Sequence, residues 1–286
     1  MPEGHTIHAL ARRLERAFRG HEVAASSPQG RFSADAERLD GRVLERASAW
    51  GKHLFVEVGD ATLHVHLGLI GSFHVKPRAA EAVPPPVGAV RLRLVGPTHW
   101  ADLRGPMICT LVDASRRREI IAGLGPDPLR RAQRPEAGWA RLHRSRRTLA
   151  ELLMDQSVVA GVGNVYRCEV LHRLAVDPLT RGVDVSVEVW GEIWQDLVLL
   201  MPLGVTFAQI ITMPDQVADA TRTRGSAKAR TITRASTGER LGNTFERRFL
   251  VYKRTGQPCP RCSNPLQQRE IAGRRLYWCP ACQLRH

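Results

Sequence analysis

The sequence lacks an apolar run long enough to cross a lipid bilayer. Its most apolar stretch, residues 197–213, is interrupted by proline, glycine and polar residues, so we interpret it as a buried helix and the end of that helix. The chain also lacks the opening of a secretory signal, because Met1 to His5 do not form a basic and then apolar segment. We therefore expect a chain that starts at this methionine and stays in the cytoplasm, without a membrane partner.

Acidic residues are few relative to basic ones. The 286 residues include 42 lysines and arginines but 28 aspartates and glutamates, which gives a formal net charge of +14. This charge predicts an acidic partner, either a nucleic acid or an anionic membrane surface, and the missing apolar run favours nucleic acid. With 43% hydrophobic and 24% charged residues, the chain fits a globular protein of two domains.

Cysteine is also scarce, yet four of the six cysteines form two Cys-x-x-Cys pairs: Cys259, Cys262, Cys279 and Cys282. Sixteen residues separate the two pairs, a spacing that predicts a zinc site of four thiolates on a hairpin. A redox centre would need only one such pair, and a disulfide framework would need a secreted protein, so both alternatives fit poorly. The other two, Cys109 and Cys168, are interpreted as small buried hydrophobic residues rather than reactive thiols.

The spacing of apolar residues changes along the chain and divides it into segments. Residues 7–18 have the period of an amphipathic helix, whereas short alternating runs between about 20 and 120 predict strands. An arginine-rich segment then precedes a helical pattern, and a stretch with few apolar residues precedes the cysteine pairs. We expect five segments: a strand-rich domain over 1–122, a basic hinge over 123–147, a helical domain over 148–220, a mobile basic loop over 221–248 and the zinc hairpin over 249–286.

Pro2 and Glu3 could carry chemistry at the start of the chain. Removal of Met1 would expose the secondary amine of Pro2, which can add to an aldehyde-like carbon and give an iminium ion, an electron sink for elimination. The amine must be unprotonated, and the positive end of the following helix would favour that state. Glu3 stands next to the same centre and could transfer protons. The alternative is an exposed terminus that only starts a helix.

A glycine-containing segment, residues 155–166, lies between two helical patterns. Gly161 and Gly163 allow tight turns, and Asn164 could cap the helix that follows. The N-terminus of that helix could bind a phosphate. A tight turn between helices that binds nothing is an equal alternative.

The order of these motifs resembles the formamidopyrimidine-DNA glycosylase and endonuclease VIII family of base-excision repair enzymes. Six motifs stand in register with the family, at residues 1–4, 51–54, 66–68, 124–129, 155–169 and 259–283. The resemblance implies an α+β protein of several domains. These are an N-terminal β-sandwich flanked by helices, a helix-two-turn-helix domain and a zinc-finger β-hairpin, with DNA bound in the cleft between the domains.

The resemblance also implies roles for single residues. Pro2 would be the nucleophile that attacks C1′ of the damaged nucleotide, and Glu3 would donate a proton that helps to open the sugar. Lys52, on a strand in the family, would contact DNA near the reacting sugar. Asn164 would bind a backbone phosphate and Arg274 the phosphates beside the lesion, a task that suits a planar guanidinium. Without the resemblance, Lys52 and Arg274 would be interpreted as solvated surface charges.

A base that is removed from a duplex must first leave the stack, and another group must fill the gap. The resemblance places Leu69 and Ile70 at this task, with ordinary packing in a strand as the alternative. His64 and His66 lie on one face of a predicted strand. Because no third ligand is evident, we expect a packed or groove-facing role for them rather than a metal site.

Together these features predict a bifunctional DNA glycosylase and abasic-site lyase with one structural zinc ion. Its expected partner is double-stranded DNA with oxidised bases or abasic sites, bound by a monomer. The opening Met1 to His5 resembles the endonuclease VIII side of the family and favours oxidised pyrimidines, whereas residues 221–242 match the family's lesion-facing loop poorly. The alternatives are a non-catalytic protein that binds damaged DNA and a zinc protein that binds ribosomal RNA.

Overall fold

The computed structural model describes residues 2–78, 83–224, 226 and 244–285, which belong to two compact units. The first unit reaches Ala122 and the second starts at Gly123. Among the described residues, no helix combines the length and the apolar character needed to cross a membrane. Most of the segment 221–248, expected as a mobile loop, lies outside the described residues, and its first residues continue a helix instead of leaving one.

Within the described residues, the first unit has three helices and eight strands. In chain order they are α1 (Gly4–Phe18), β1 (Glu22–Ser26), α2 (Ser33–Leu39), β2 (Arg42–Trp50), β3 (His53–Val58), β4 (Ala61–His66), β5 (Ser72–Pro77), β6 (Val90–Val95), β7 (His99–Arg104), β8 (Ile108–Val112) and α3 (Ala114–Ala122). All strand pairs are antiparallel, in the order β5-β7-β6-β1-β2-β3-β4-β8.

Strand β1 joins two halves of this sheet, with β5, β7 and β6 on one side and β2, β3, β4 and β8 on the other. Its residues Glu22 and Val23 pair with β2, whereas Ala24 to Ser26 pair with β6. A single apolar cluster includes side chains from both halves together with α1 and α2. The expected α+β class, with a β-sandwich flanked by helices, is therefore confirmed for this unit.

The alternation along β3 explains which side of the sheet is buried in that cluster. Leu54, Val56 and Val58 point into it, whereas Phe55 and Glu57 lie on the other face. Helix α3 covers this second face through Arg117. Its guanidinium donates to Glu57 Oε1 at 2.6 Å and to Ser48 Oγ at 3.1 Å and lies 5.3 Å from the Phe55 ring centroid.

The second unit is helical and ends in a hairpin. Its elements are α4 (Pro135–Leu142), α5 (Leu149–Leu152), α6 (Asn164–Arg173), α7 (Val187–Phe207), α8 (Pro214–Thr223), β9 (Gln267–Ile271) and β10 (Arg274–Trp278), with a short 3₁₀ turn over Gly182–Asp184. The helical domain and the hairpin that the sequence predicts are both present. Helix α7 runs to Phe207, so the apolar stretch 197–213 is indeed a helix and its exit.

Residues 123–147, expected as a basic hinge, are part of the second compact unit. They include helix α4, which starts at Pro135, a residue suited to the first helical turn. The Trp190 indole N–H donates to the Pro135 carbonyl at 2.8 Å, and Gly138 lies so close to the Trp190 ring that a side chain there would clash. The many arginines suggested a solvated linker, but Leu142 and Asp127 are fully buried.

Candidate active site and nucleic-acid interface

Pro2 and Glu3 stand at the N-terminus of α1. Glu3 is the N-cap residue, with an extended backbone, and its carbonyl accepts hydrogen bonds from the Thr6 N–H at 2.9 Å and the Ile7 N–H at 3.4 Å. Glu3 is fully buried, whereas Pro2 is half-buried. The first helical turn contains no acidic residue, so the positive end of a 15-residue helix faces Pro2 and disfavours a protonated amine at that position.

His5 lies in the first turn of the same helix and is buried. Its Nε2 is 3.3 Å from the Thr6 hydroxyl. Burial lowers the pKa of His5 to about 3, and positive charge at the start of the chain and on His8 adds to this effect. His5 is therefore neutral at neutral pH and adds no charge beside Glu3.

Lys52 lies in the two-residue turn between β2 and β3, not on a strand as the resemblance implied. Trp50 and His53 pair across the turn, and Gly51 has a positive φ of 54° while Lys52 does not. Glycine at the first of two central positions is typical of a type II′ hairpin turn. The short turn fixes the position of Lys52 at the end of these two strands.

A cluster of three histidines lies beside this turn on the outer face of β3 and β4. His53 Nδ1 is 2.9 Å from His64 Nε2, and the His66 ring centroid is 4.9 Å from that of His53. Burial, followed by charge on the neighbouring imidazoles, lowers the pKa of His53 to about 3 and that of His64 to about 4. The packed role expected for His64 and His66 fits this arrangement, but no feature of the sequence indicated that His53 joins them.

The loop after β4 is tied to the same cluster. His66 Nδ1 accepts a hydrogen bond from the Gly68 N–H at 3.1 Å, and the Gly71 N–H donates to the Leu67 carbonyl at 3.0 Å. Because His53 and His66 pair directly across β3 and β4, this loop and the Lys52 turn emerge at the same end of the sheet.

Leu69 and Ile70 project from this loop and are 50% and 89% exposed. Packing in a strand, the alternative considered for them, is therefore excluded. Met107, 65% exposed, adjoins the loop, since a side chain on Gly68 would come within 3.1 Å of the Met107 Cβ. The sequence did not single out Met107, because an apolar run does not reveal which of its residues faces solvent.

Asn164 does not cap α6, contrary to the sequence-based expectation. Gly163 is the N-cap residue and Asn164 is the first helical residue. Its side chain is instead directed at the hairpin, where Nδ2 donates to the Arg275 carbonyl at 2.9 Å. Its Oδ1 accepts a hydrogen bond from the buried guanidinium of Arg167, which also donates to the Ala150 carbonyl at 3.2 Å.

Arg274 opens β10 and lines a cavity of about 400 Å³ within the second unit. The residues around the cavity are Arg147, Glu151, Met154, Asp155, Arg167, Ile271, Ala272, Gly273 and Arg274. Arg147 Nη2 is 2.6 Å from a carboxylate oxygen of Asp155. Three guanidinium groups thus share one cavity with two carboxylates, and planar guanidinium groups are suited to phosphate oxygens.

The four predicted zinc ligands converge at the base of the hairpin. The sulfur atoms of Cys259, Cys262, Cys279 and Cys282 lie within 4.8 Å of one another. Two of the sulfur–sulfur distances, Cys259 to Cys282 and Cys262 to Cys279, are 3.7 and 3.4 Å. A tetrahedral zinc ion with Zn–S bonds of about 2.3 Å needs sulfur–sulfur distances of about 3.8 Å, so these residues fit zinc and leave no coordination position for a substrate.

Glu169 belongs to the motif at 155–169, but the sequence assigned it no role. Its buried carboxylate accepts hydrogen bonds from the Thr212 hydroxyl at 2.6 Å and from the backbone N–H groups of Leu250, Val251 and Tyr252 at 2.8 to 2.9 Å. These bonds fix the segment that leads into the hairpin.

Cys109 and Cys168 are not reactive thiols. Burial raises the pKa of Cys109 to about 12 and that of Cys168 to about 11. Both side chains therefore stay protonated at neutral pH, in agreement with their interpretation as small hydrophobic residues.

The candidate residues are thus divided between the two units. Pro2, Glu3, Lys52, Leu69 and Ile70 belong to the first unit, whereas Asn164, Arg274 and the four cysteines belong to the second.

Three family models match successive parts of the chain. They describe the formamidopyrimidine-DNA glycosylase N-terminal domain over residues 1–106, the formamidopyrimidine-DNA glycosylase H2TH domain over residues 124–215, and a zinc finger found in FPG and IleRS over residues 256–285.

The similarity to known proteins extends over nearly the whole chain. Endonuclease 8 1 of Mycobacterium tuberculosis H37Rv is 42% identical over 293 residues, covering 99% of this chain and all of the relative. A formamidopyrimidine-DNA glycosylase of Thermus thermophilus is 29% identical, covering 99% of this chain and 98% of the relative.

Solved structures with the same fold include the MutM (Fpg) protein from Thermus thermophilus, with a TM-score of 0.74, 25% identity and coverage of 99% of this chain and 98% of that one. The structure of MutM in complex with DNA containing carbocyclic 8-oxo-G has a TM-score of 0.76, 19% identity and coverage of 99% and 100%.

Proposed function

Since the chain belongs to the formamidopyrimidine-DNA glycosylase and endonuclease VIII family and is a DNA glycosylase and abasic-site lyase, we propose that it removes oxidised bases, chiefly pyrimidines, through a Schiff base on Pro2. The observation that carries this proposal is the position of Pro2 and the buried Glu3 at the positive end of α1. The preference for pyrimidines is supported by the opening residues and by the 42% identity to an endonuclease 8.

In the proposed reaction, the Pro2 nitrogen attacks C1′ of the damaged nucleotide and the bond from C1′ to the base breaks. Glu3 gives a proton to the sugar ring oxygen, so the ring opens and the nitrogen and C1′ form an iminium ion. Loss of a proton from C2′ then expels the 3′ phosphate, and a second elimination expels the 5′ phosphate. Water finally releases the sugar fragment and restores the amine.

Three charged or polar side chains would hold the DNA during these steps. Lys52, fixed by its tight turn, would contact the strand near the reacting sugar. Arg274 would bind the phosphates beside the lesion, supported by the cavity that it shares with Arg147 and Arg167. Asn164 would bind a further phosphate, because its bond to Arg275 uses only one of its two amide N–H groups.

Leu69 and Ile70 would fill the gap that the extruded base leaves. Their high exposure supports this proposal, since apolar side chains gain by entering a base stack. Met107 adjoins them and would extend the inserted surface. We propose that the enzyme works as a monomer in the cytoplasm, where its DNA substrate would be found.

The zinc ion stabilises the hairpin when it is bound and takes no part in bond breaking. Its four thiolates come from the two ends of the hairpin, so they hold β9 and β10 together and thereby set the position of Arg274.

Borohydride trapping tests the role of Pro2. Untagged protein in which mass spectrometry shows that Met1 is removed should form a covalent adduct with a duplex that carries an abasic site or a dihydrothymine, because borohydride reduces the iminium ion to a stable amine. If no adduct forms with a free Pro2, the proposed mechanism is wrong.

The matched control carries one added glycine before Pro2, which turns the Pro2 nitrogen from an amine into an amide. This protein should bind the same duplex with the same dependence on salt, since its phosphate contacts are unchanged, yet form no adduct. Equal trapping by both proteins would place the nucleophile elsewhere. Binding by both without any product would instead favour the non-catalytic alternative.

A panel of duplexes tests the preference for pyrimidines. Release of dihydrothymine should be faster than release of 8-oxoguanine in single-turnover reactions with the untagged protein. The reverse order would retain the lyase mechanism and overturn the assignment of the substrate.

A further inference from the structure

His172 is a buried histidine of α6 whose ring is directed at the zinc ligands. Its Nε2 atom is 3.3 Å from Cys259 Sγ and 3.9 Å from Cys282 Sγ. The residue is 1% exposed, and its Nδ1 atom has no hydrogen-bond partner in the part of the chain that the structure describes. The polar contacts of this ring are therefore made to two sulfur atoms of the zinc site.

The chemistry of the ring determines which nitrogen carries the proton. A neutral imidazole has one N–H group and one lone pair. With the proton on Nε2, the N–H donates to the Cys259 thiolate and only an acceptor stays unbonded. With the proton on Nδ1, a buried donor would lack an acceptor and the Nε2 lone pair would face thiolate sulfur. The first tautomer avoids both costs.

His172 belongs to a row of three residues that bonds α6 to the hairpin, and the Arg173 carbonyl at the end of α6 also accepts from Arg261 Nη2 at 2.9 Å. Asn164, Cys168 and His172 recur every four residues and so lie on one face of the helix. Their partners are the Arg275 carbonyl at 2.9 Å, the Tyr277 N–H at 3.4 Å and Cys259 Sγ at 3.3 Å. The helix thus contacts the hairpin over about 12 Å, and His172 provides the contact at the metal end.

Other N–H groups that reach the zinc sulfurs come from the two cysteine loops themselves. The Arg261 N–H lies 3.4 Å from Cys259 Sγ, and Asn264 Nδ2 lies 3.5 Å from Cys262 Sγ. His172 is 87 residues away from Cys259 in sequence. Its bond therefore links the metal site to the helical domain, which the bonds within the loops do not.

We propose that His172 is an outer-sphere residue of the zinc site: its Nε2–H donates to the Cys259 thiolate, slows the loss of zinc and fixes the hairpin on α6. A hydrogen bond draws electron density from the thiolate, which makes the sulfur less reactive toward protons and electrophiles. Outer-sphere partners of metal ligands typically change metal affinity by about 10- to 100-fold.

The release of zinc tests this proposal without any use of DNA. Zinc-loaded wild type, His172→Leu and His172→Gln proteins are exposed to a thiol-reactive reagent, and the freed zinc is measured with a coloured chelator. His172→Leu should release zinc about tenfold faster than wild type. His172→Gln should restore much of the difference, because its amide can still donate to sulfur. His143→Leu, a change at the end of α4 outside the hairpin, should release zinc at the wild-type rate.

Wild-type rates for zinc-loaded His172→Leu would overturn the proposal, as would equally fast release from the Leu and Gln variants. If His172→Leu does not fold, nitrogen-15 NMR of the zinc-loaded wild type decides the question through the tautomer of His172. A proton on Nε2 supports the proposal and a proton on Nδ1 contradicts it. Nitrogen in the first coordination shell of zinc, seen by X-ray absorption, would also contradict it, since His172 would then be a ligand.

Discussion

The two units position their candidate residues by different physical means. In the first unit, Lys52, Leu69 and Ile70 occupy turns at the ends of interior strands of a large antiparallel sheet, and the apolar cluster of this sheet also includes α1. In the second unit, Arg274 stands on a hairpin of two strands, and four of the five residues of β9 are exposed. A two-stranded hairpin is at best marginally stable on its own. The hairpin therefore depends on zinc, on polar contacts with α6 and on the burial of Leu276, Tyr277 and Trp278 of β10 in an apolar cluster.

The candidate residues of the two units are therefore expected to fail in different ways when they are substituted. Loss of a polar group in the first unit removes chemistry and leaves the sheet intact. Loss of a metal ligand in the second unit removes structure, because metal binding and folding of such a hairpin are coupled. Four experiments test the contrast.

The largest effect is expected from Glu3→Gln. The amide has nearly the same shape as the carboxyl group but cannot donate the proton, so the rate of base release should fall by about 10²- to 10⁴-fold. Single-turnover assays measure this rate, and thermal unfolding should be almost unchanged. A large loss of stability would show that Glu3 is chiefly structural and would break the contrast.

Cys262→Ser should have the next largest effect, and on binding rather than on chemistry. Without a complete set of thiolates, Arg274 loses its fixed position, and two charge-assisted bonds to phosphate would cost about 3 kcal/mol, or about 100-fold in affinity. Fluorescence anisotropy with an abasic-site analogue measures the affinity. Hydrogen exchange should stay unchanged in β3 and β4, and faster exchange in those strands would show that the units do not fail independently.

Replacement of both Leu69 and Ile70 by alanine should reduce base release by about 10- to 100-fold, since the gap left by the extruded base is no longer filled. Cleavage at an abasic site that already exists should suffer less, because no base has to leave the stack. Val87→Ala, another exposed apolar residue of the first unit, is the matched control. Equal losses on both substrates would contradict a gap-filling role.

The smallest effect concerns acid stability of the first unit. Because burial holds the pKa of His5 at about 3, far below its ordinary value of 6.5, the unfolded chain binds a proton that the folded chain rejects. Stability is therefore full above pH 6.5 and is lost as the pH falls toward 3, by about 1.4 kcal/mol per pH unit. His5→Gln should remove about 2 kcal/mol of the difference between pH 6.5 and pH 5. Hydrogen exchange of β3 and β4 at pH 6.5 and pH 5 measures the difference in stability. If this difference is the same in His5→Gln and wild type, His5 is not the group responsible.

Much of this organisation could be predicted because it depends on local spacing. The two Cys-x-x-Cys pairs predicted the zinc ligands, and the helical period of residues 7–18 predicted α1. The sequence did not indicate that residues 123–147 belong to the second unit, because the arginines of this segment conceal Pro135 and Gly138, which contact Trp190, far away in sequence.

Other features depend on contacts between distant segments, which spacing does not reveal. Asn164 has the side chain of a helix cap, but the Arg275 carbonyl on the hairpin attracts its amide and Gly163 takes the cap position. His53 joins His64 only through the pairing of β3 with β4. The exposure of Met107 follows from its place beside Gly68.

The turn that carries Lys52 limits the number of residues that can stand between β2 and β3. Only Gly51 and Lys52 lie between the paired Trp50 and His53, so the turn cannot accommodate an inserted residue without a change in its geometry or in the strand pairing. If the insertion shifted the pairing of β3 by one position, Leu54 and Val56 would turn toward the outer face and His53 toward the apolar interior. The length of this turn therefore determines which side chains of β3 face the apolar cluster.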